Sequence, residues 1–331
     1  MRAAAGTATA VAAIAEGVLR GDARQLARAM SLVENGAPEA EALLDALYGK
    51  KGPAPRIGFT GPPGAGKSTL VAEYTRLLRA EGVQVGVIAV DPTSPFTGGA
   101  ILGDRVRMNE HATDGRVFIR SMATRGSLGG LAARTGDLCE LLDAWGSQTT
   151  LVETVGVGQS ELDVAEATDT TVVILTPESG DAIQALKAGL MEIAEVIVLN
   201  KADHAGADAM EAALRASLAF RPEERRPPIV RTVATAREGL EELHGALRAH
   251  HEAWSRPEVA GPRRRDKVRA RIRTAVREGL LEAWLRRQGF DEALDRLTDD
   301  VIAGRTSPYR AARNLIERMT RDGERTNGNG K

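Results

Sequence analysis

The sequence contains little that would suit an oxidising compartment or a membrane. Its 331 residues include one cysteine, Cys139, so no intramolecular disulfide can form and a cytoplasmic location is expected. No apolar run approaches the ~18 residues typical of a membrane-spanning helix. The alanine-rich segment 1–15 carries a single charge and lacks the features of a signal or transit peptide, so we predict the start of a helix there.

The sequence also lacks a large net charge, and it has few aromatic side chains. The formal net charge is −1 and aromatic residues make up 3% of the chain. A nearly neutral chain exerts no global attraction on nucleic acid or on an anionic membrane, so neither is expected as a partner. The five histidines and Cys139 show no spacing typical of metal ligands. A partner must therefore be recognised by a local surface.

Short β-branched runs alternate with helical patterns in the middle of the chain. Such alternation predicts an α/β fold, a doubly wound and mostly parallel sheet with helices on both faces. The expected strands are 56–60, 83–90, 117–119, 149–155, 170–176, 196–200 and 229–233. We expect an N-terminal helical arm over 1–50, the α/β domain over 51–256, a C-terminal helical region over 257–322 and a disordered tail over 323–331.

A phosphate-binding loop follows the first expected strand. Residues 61–68 read Gly-Pro-Pro-Gly-Ala-Gly-Lys-Ser, which matches G-x-x-x-x-G-K-[ST] between a strand and a helix. The glycines let backbone N–H groups point at phosphates, and the helix start adds its positive dipole end. Lys67 is expected on the β- and γ-phosphates and Ser68 on Mg²⁺. The predicted nucleotide contacts are Gly61, Pro62, Pro63, Gly64, Ala65, Gly66, Lys67, Ser68 and Thr69.

The base is predicted from a second motif downstream. Asn200, Lys201 and Asp203 form N-K-x-D directly after an expected strand. The Asp203 carboxylate can accept hydrogen bonds from N1–H and the exocyclic amine of guanine, whereas adenine offers no such pair of donors. A buried Asp203 facing adenine would be left unpaired. The motif therefore predicts a guanine nucleotide.

Acidic side chains near the expected γ-phosphate position are candidates for the metal shell. Glu153 and Gly156 stand where most GTPases have D-x-x-G; Glu153 can hold Mg²⁺ through water, and the Gly156 N–H can approach the phosphate. Asp91 and Asp104 are either plain cap or turn residues or further members of the metal shell.

The residue that would orient the attacking water is displaced in this chain. Many small GTPases carry glutamine directly after the D-x-x-G glycine, but here that residue is Val157, which cannot hydrogen-bond water. Hydrolysis by the isolated chain is therefore expected to be slow. Gln159 could supply the missing group once a partner orders the loop. The expected catalytic residues are Lys67, Glu153, Gly156 and Gln159.

Residues 91–104, 153–161 and 200–203 together resemble the MeaB/ArgK family of GTPases. Members of this family are chaperones of adenosylcobalamin-dependent acyl-CoA mutases, of which methylmalonyl-CoA mutase is the best known. The resemblance runs from Glu16 through Arg248 and more loosely beyond. It implies GTP or GDP with Mg²⁺, a homodimer built partly by the terminal helices, and a role in gating cobalamin delivery and loss. The adenosyltransferase that supplies the cofactor is a further candidate partner.

Two segments extend or modify this family pattern. The loop expected at guanine O6 reads Thr232-Val233-Ala234 where a Ser-Ala pair is usual; we expect Val233 and Ala234 at the base, with the Ala234 N–H donating to O6 and no serine support. Residues 177–189 resemble a third switch segment, with Asp181, Gln184 and Lys187 as a relay to the mutase. The alternative for this segment is an ordinary capped helix start with Lys187 on a solvated face.

Other assignments use similar machinery. A nickel-type metal-insertion GTPase would need soft or imidazole ligands, and no C-x-x-C or histidine-rich tract is present. A nucleotide-powered transport component would need a membrane subunit or an attachment surface for which the sequence has no motif. The arginine-dense run Arg263 to Arg273 is either a solvated or interface helix face or a docking surface for an acidic partner.

Overall fold

A seven-stranded parallel sheet forms the centre of the computed structural model, which describes residues 2–91, 111, 113–123, 130–154, 160–177, 189–285 and 289–327. The strands are β1 Arg56–Thr60, β2 Val85–Asp91, β3 Val117–Ala123, β4 Thr149–Thr154, β5 Thr170–Leu175, β6 Val196–Asn200 and β7 Ile229–Thr232. Their order is β3-β2-β4-β1-β5-β6-β7, and all neighbours pair in parallel. The predicted α/β doubly wound sheet is confirmed.

Helices cover both faces of this sheet. In chain order the helices of the described ranges are α1 Arg2–Leu19, α2 Ala23–Glu34, α3 Ala40–Leu47, α4 Lys67–Ala80, α5 Gly130–Trp145, α6 Ser160–Ala167, α7 Leu190–Ile193, α8 Ala207–Leu218, α9 Leu240–Trp254, α10 Pro257–Leu285, α11 Phe290–Ile302 and α12 Pro308–Asn327; those that cover the sheet belong to α1–α9. Among the helices of the described ranges, none is both long and apolar enough to cross a bilayer.

The N-terminal helices are part of the α/β core. Val18, Leu26 and Met30 of α1 and α2 pack in one buried cluster with Ile88 of β2 and Val152 of β4. Successive strand residues point to opposite faces, so these two strand side chains mark the face that α1–α3 and α5 cover. The predicted helical arm is therefore a layer of the domain, and burying its apolar stripe stabilises both the arm and the sheet.

The opposite face carries the helix that follows the phosphate-binding loop. Leu70 and Tyr74 of α4 pack with Leu243 of α9 over Val87 and Leu151 of the sheet. Since α4 begins at Lys67 and α9 follows the loop after β7, this cluster fixes the two loops relative to the sheet.

The single cysteine lies inside the packed layer of α5. Cys139 is fully buried, and burial raises the pKa of its thiol to about 12. The thiol therefore stays protonated at neutral pH and is a poor metal ligand or nucleophile.

The chain divides into two compact units, residues 1–267 and 268–331, so the division falls within α10 and not at the expected position near 257. In the second unit α11 and α12 lie against each other, with Phe290, Ala293 and Ala311 buried. Helix α12 extends to Asn327, so residues 323–327 are helical where a disordered tail was predicted. Gly323 is accommodated in that helix, since an interior glycine costs only about 1 kcal/mol.

Arg56, the first residue of β1, is expected to contribute strongly to stability. Its Nη2 lies 2.6 Å from Asp143 Oδ2 and 3.0 Å from Glu140 Oε1. Because its removal leaves the buried Asp143 carboxylate uncompensated, Arg56→Ala should lower the free energy of unfolding by about 3–5 kcal/mol, as measured by urea denaturation. Arg20→Ala removes an exposed ion pair with Glu16 and should change the same quantity by under about 1 kcal/mol. Equal effects of the two substitutions would contradict this reading.

Candidate nucleotide-binding site

The predicted functional residues meet at one edge of the sheet. All seven strands are parallel, so their carboxyl ends lie together, which is where α/β folds bind ligands. The loop after β1, Glu153 in β4, Asn200 at the end of β6 and Thr232 at the end of β7 all lie at this edge.

Glycines allow the loop after β1 to curl tightly. Gly61, Gly64 and Gly66 have φ values of 145°, 78° and 87°, which residues with a Cβ rarely adopt. A Cβ on Gly61 would lie 2.1 Å from the Ile174 carbonyl oxygen, and one on Gly66 would lie 2.4 Å from Asn200 Nδ2. At Gly61 and Gly66 glycine is therefore required by space as well as by conformation, whereas at Gly64 only the conformation favours it. Pro62, Pro63, Ala65 and Thr69 complete the loop and the first turn of α4.

Lys67 lies over this loop. Its side chain is buried, and its Nζ donates to the carbonyl oxygens of Gly61 and Pro62, both at 2.9 Å. These contacts hold the ammonium group inside the ring of backbone that a phosphate chain would occupy. A buried ammonium group there favours an anionic ligand.

Ser68 and Glu153 provide the oxygen ligands of a candidate Mg²⁺ site. Ser68 Oγ donates to Glu153 Oε1 at 2.5 Å, and both residues are buried. A hydroxyl and a carboxylate in contact fit Mg²⁺, which takes oxygen ligands and keeps waters and phosphate oxygens in its shell. Within the described ranges no group of three or more His, Cys, Asp or Glu side chains could hold a metal ion. Ser68 and Glu153 supply two ligands, and Mg²⁺ commonly completes its shell with water and phosphate oxygens.

Two threonines that the sequence analysis did not single out are hydrogen-bonded beside Ser68 and Glu153. Thr154 Oγ1 donates to Thr60 Oγ1 at 3.1 Å, and both are buried. The pair joins the last residue of β1 to the residue after Glu153, which aligns the loop with β4. The sequence signal was a threonine closing each of the two neighbouring strands.

Asn200 connects the phosphate-binding loop to the last residue of β7 and the loop that follows it, which together we call the base loop (residues 232–239). Its Nδ2 donates to the Ala65 carbonyl oxygen at 2.8 Å. Its Oδ1 accepts from Thr232 Oγ1 at 3.0 Å and from the Ala234 N–H at 3.2 Å. The side chain is buried, so one amide makes three hydrogen bonds that hold the two loops together.

The base loop differs from its sequence-based assignment. The Ala234 N–H, expected at guanine O6, donates to Asn200 Oδ1, and the Val233 N–H donates to the Glu238 carbonyl oxygen at 3.1 Å. Both N–H groups are thus used inside the protein. In place of the absent serine, the Thr232 hydroxyl at the end of β7 supports Asn200. In the sequence, the polar residue at the end of this strand was the feature that could have indicated this contact.

The other residues of the guanine motif, Lys201 to Asp203, lie at the surface of the protein beside the base loop. Lys201 adopts a left-handed backbone conformation with φ 55°, and the Ala202 N–H donates to the Thr232 carbonyl oxygen at 3.1 Å. The Asp203 side chain is 54% exposed. Its position on the surface leaves it accessible to a base arriving from solvent.

Several predicted residues lie outside the part of the chain that the structure describes. Asp91 ends β2 at the same edge as Glu153, but its side chain is not among the described groups. The other such residues are Asp104, Gly156, Val157, Gln159, Asp181, Gln184 and Lys187.

Comparison with known proteins identifies the family. The family model described as methylmalonyl Co-A mutase-associated GTPase MeaB matches residues 26–288. A putative GTPase of Pyrococcus abyssi is 46% identical over 312 residues, 92% of this chain and 95% of the relative. The GTPase ArgK of Escherichia coli is 38% identical over 300 residues, 86% of each chain.

A solved structure agrees with this assignment. The crystal structure of a protein described as LAO/AO transport system kinase superimposes with a TM-score of 0.69 at 29% identity, covering 94% of this chain and 98% of that one. The sheet, the phosphate-binding loop and the relatives all indicate GTP hydrolysis. The chain belongs to the MeaB family of P-loop GTPases.

Proposed function

We propose that this GTPase is a chaperone of an adenosylcobalamin-dependent acyl-CoA mutase, with methylmalonyl-CoA mutase as the expected client. The match to the mutase-associated family over residues 26–288 supports the client class. The structural observation that supports nucleotide binding in this proposal is the Asn200 amide, which joins the phosphate-binding loop to the base loop. GTP state would gate delivery and retention of cobalamin on the mutase, in the cytoplasm.

The site residues divide the nucleotide between them. Lys67 and the N–H groups of residues 64–68 hold the β- and γ-phosphates, and Ser68 and Glu153 hold Mg²⁺, which supplies charge neutralisation on the phosphates. Asp203 accepts from N1–H and the amine of guanine. Since the N–H groups of Val233 and Ala234 are engaged within the protein, we assign the O6 contact to the N–H of Thr235, the next residue and an exposed one.

A homodimer is part of this proposal. Val268, Ile272, Val276 and Leu280 recur at four-residue spacing on α10 and are 39%, 60%, 54% and 52% exposed. A continuous apolar ridge of this kind on a soluble helix is typical of a helix–helix interface. The adenosyltransferase that supplies cobalamin is a second candidate partner of the complex.

Asp203→Asn is expected to change the preferred base. The substitution replaces an acceptor by a group that also donates, so affinity for GDP should fall and affinity for xanthosine diphosphate should rise, each by at least about tenfold. Isothermal titration with GDP, xanthosine diphosphate and ADP measures both. Asp208→Asn, at a 92% exposed side chain on α8, is the matched control. Equal affinities of the wild-type protein for GDP and ADP would contradict guanine recognition.

The mutase is expected to accelerate hydrolysis. Because Val157 cannot orient water, the isolated protein should turn over slowly, and addition of the cognate mutase should raise the rate by at least about tenfold through Gln159. If Asp181, Gln184 and Lys187 form a relay to the mutase, Lys187→Ala should keep GTP affinity within a few-fold yet lose this stimulation.

Lys67→Ala provides the contrast, since it removes a phosphate contact present in every state and should abolish tight binding itself. Nucleotide titration and phosphate-release assays with and without methylmalonyl-CoA mutase separate the two variants. Fast hydrolysis that the mutase leaves unchanged would contradict the chaperone proposal. If the mutase stimulates GTP hydrolysis by Lys187→Ala as strongly as by the wild-type protein, only the relay assignment is contradicted.

A further inference from the structure

Two residues that carry a side chain adopt left-handed backbone conformations in the described part of the chain. They are Lys201, with φ 55°, and Arg237, with φ 62°. This conformation is unfavourable for residues with a Cβ, and such outliers persist where the surrounding structure imposes them, often at functional sites. Lys201 belongs to the guanine motif. Arg237 lies in the base loop, directly after the 3-10 helix Ala234–Ala236.

The base loop is closed in a way that imposes the conformation of Arg237. Val233 and Glu238 form an antiparallel bridge, with N–H to carbonyl distances of 3.1 and 3.3 Å. Gly239 follows with φ 76°, and a Cβ there would lie 1.9 Å from the Arg231 carbonyl oxygen. The backbone at Arg237 therefore cannot relax unless this bridge opens.

The side chain of Arg237 reaches the helix that carries the phosphate-binding residues. Its Nε donates to Glu73 Oε2 at 2.8 Å. Glu73 lies on α4, the helix that begins with Lys67 and Ser68. The Glu73 side chain is 16% exposed and that of Arg237 is 55% exposed. Two sets of contacts thus hold the base loop near the phosphate-binding residues. The buried Asn200 amide connects it to the phosphate-binding loop, and the Arg237–Glu73 ion pair at the surface connects it to α4.

We propose that Arg237 is a positioning residue of the guanine site, which acts through Glu73 to hold the base loop on α4 and so prolongs the residence of guanine nucleotides. The proposal rests on the guanine site assigned above. Because the Arg237 side chain is 55% exposed, its ion pair with Glu73 adds little to the stability of the fold. It does oppose movement of the base loop away from α4. If the base leaves by that movement, the effect of the pair falls on the dissociation rate.

Arg237→Gly tests the proposal because it removes the guanidinium group and relieves the backbone conformation together. Dissociation of fluorescently labelled GDP should become roughly 3–10-fold faster, in line with the small energies of such pairs. Affinity for inorganic pyrophosphate, which contacts only the phosphate side, should stay within about twofold. The melting temperature should stay constant or rise, since glycine prefers this conformation. Glu73→Gln should accelerate GDP release similarly.

The double variant and a distant control make the test specific. If the two side chains act as a pair, Arg237→Gly combined with Glu73→Gln should release GDP no faster than either single variant. Arg248→Ala removes an exposed pair with Glu252 on α9 and should leave the release rate unchanged. Unchanged release in Arg237→Gly, additive effects in the double variant, or faster release together with a lower melting temperature would each overturn the proposal.

The proposed guanine site can fail separately. If Asp203→Asn leaves base preference unchanged, the site itself is misassigned and the role of Arg237 falls with it. If Asp203→Asn shifts the preference and Arg237→Gly has no effect on GDP release, only the positioning role is overturned.

Discussion

The site depends on the amide side chain of Asn200. Its Nδ2 and Oδ1 are both hydrogen-bonded, to Ala65 on the phosphate side and to Thr232 and Ala234 on the base side. An unpaired buried amide would cost about 1–3 kcal/mol for each lost partner, so the contacts hold the two loops in one arrangement. They also explain Gly66, because a Cβ there would collide with Asn200 Nδ2.

The parallel sheet makes this connection possible. The strands β1, β5, β6 and β7 are consecutive neighbours, so loops from distant parts of the sequence emerge side by side. On the other side of β1, the neighbour β4 brings Glu153 to Ser68. The residues proposed for the base and those proposed for the metal therefore lie on opposite sides of the same phosphate-binding loop. A change at either side can reach the phosphates through that loop.

Features that depend on local sequence pattern could be predicted from the sequence. Valine and isoleucine runs bounded by turns predicted the strands, and the glycine spacing at 61–66 predicted a curled phosphate-binding loop. Pairings that depend on register between distant segments could not be predicted. The contact between Thr232 and Asn200 is one, and the use of the Ala234 N–H inside the protein is another. Packing of α1 and α2 on the β2–β4 face likewise follows from tertiary contacts.

Calorimetric titration of Asn200→Ala with GDP and with inorganic pyrophosphate tests the central claim most directly. If the amide joins both halves of the site, the substitution removes three hydrogen bonds and GDP affinity should fall by at least about 100-fold. Pyrophosphate affinity should also fall, because the loop around Ala65 loses its support. Retention of wild-type pyrophosphate affinity, or of GDP affinity within a few-fold, would contradict the claim that Asn200 couples the phosphate and base loops.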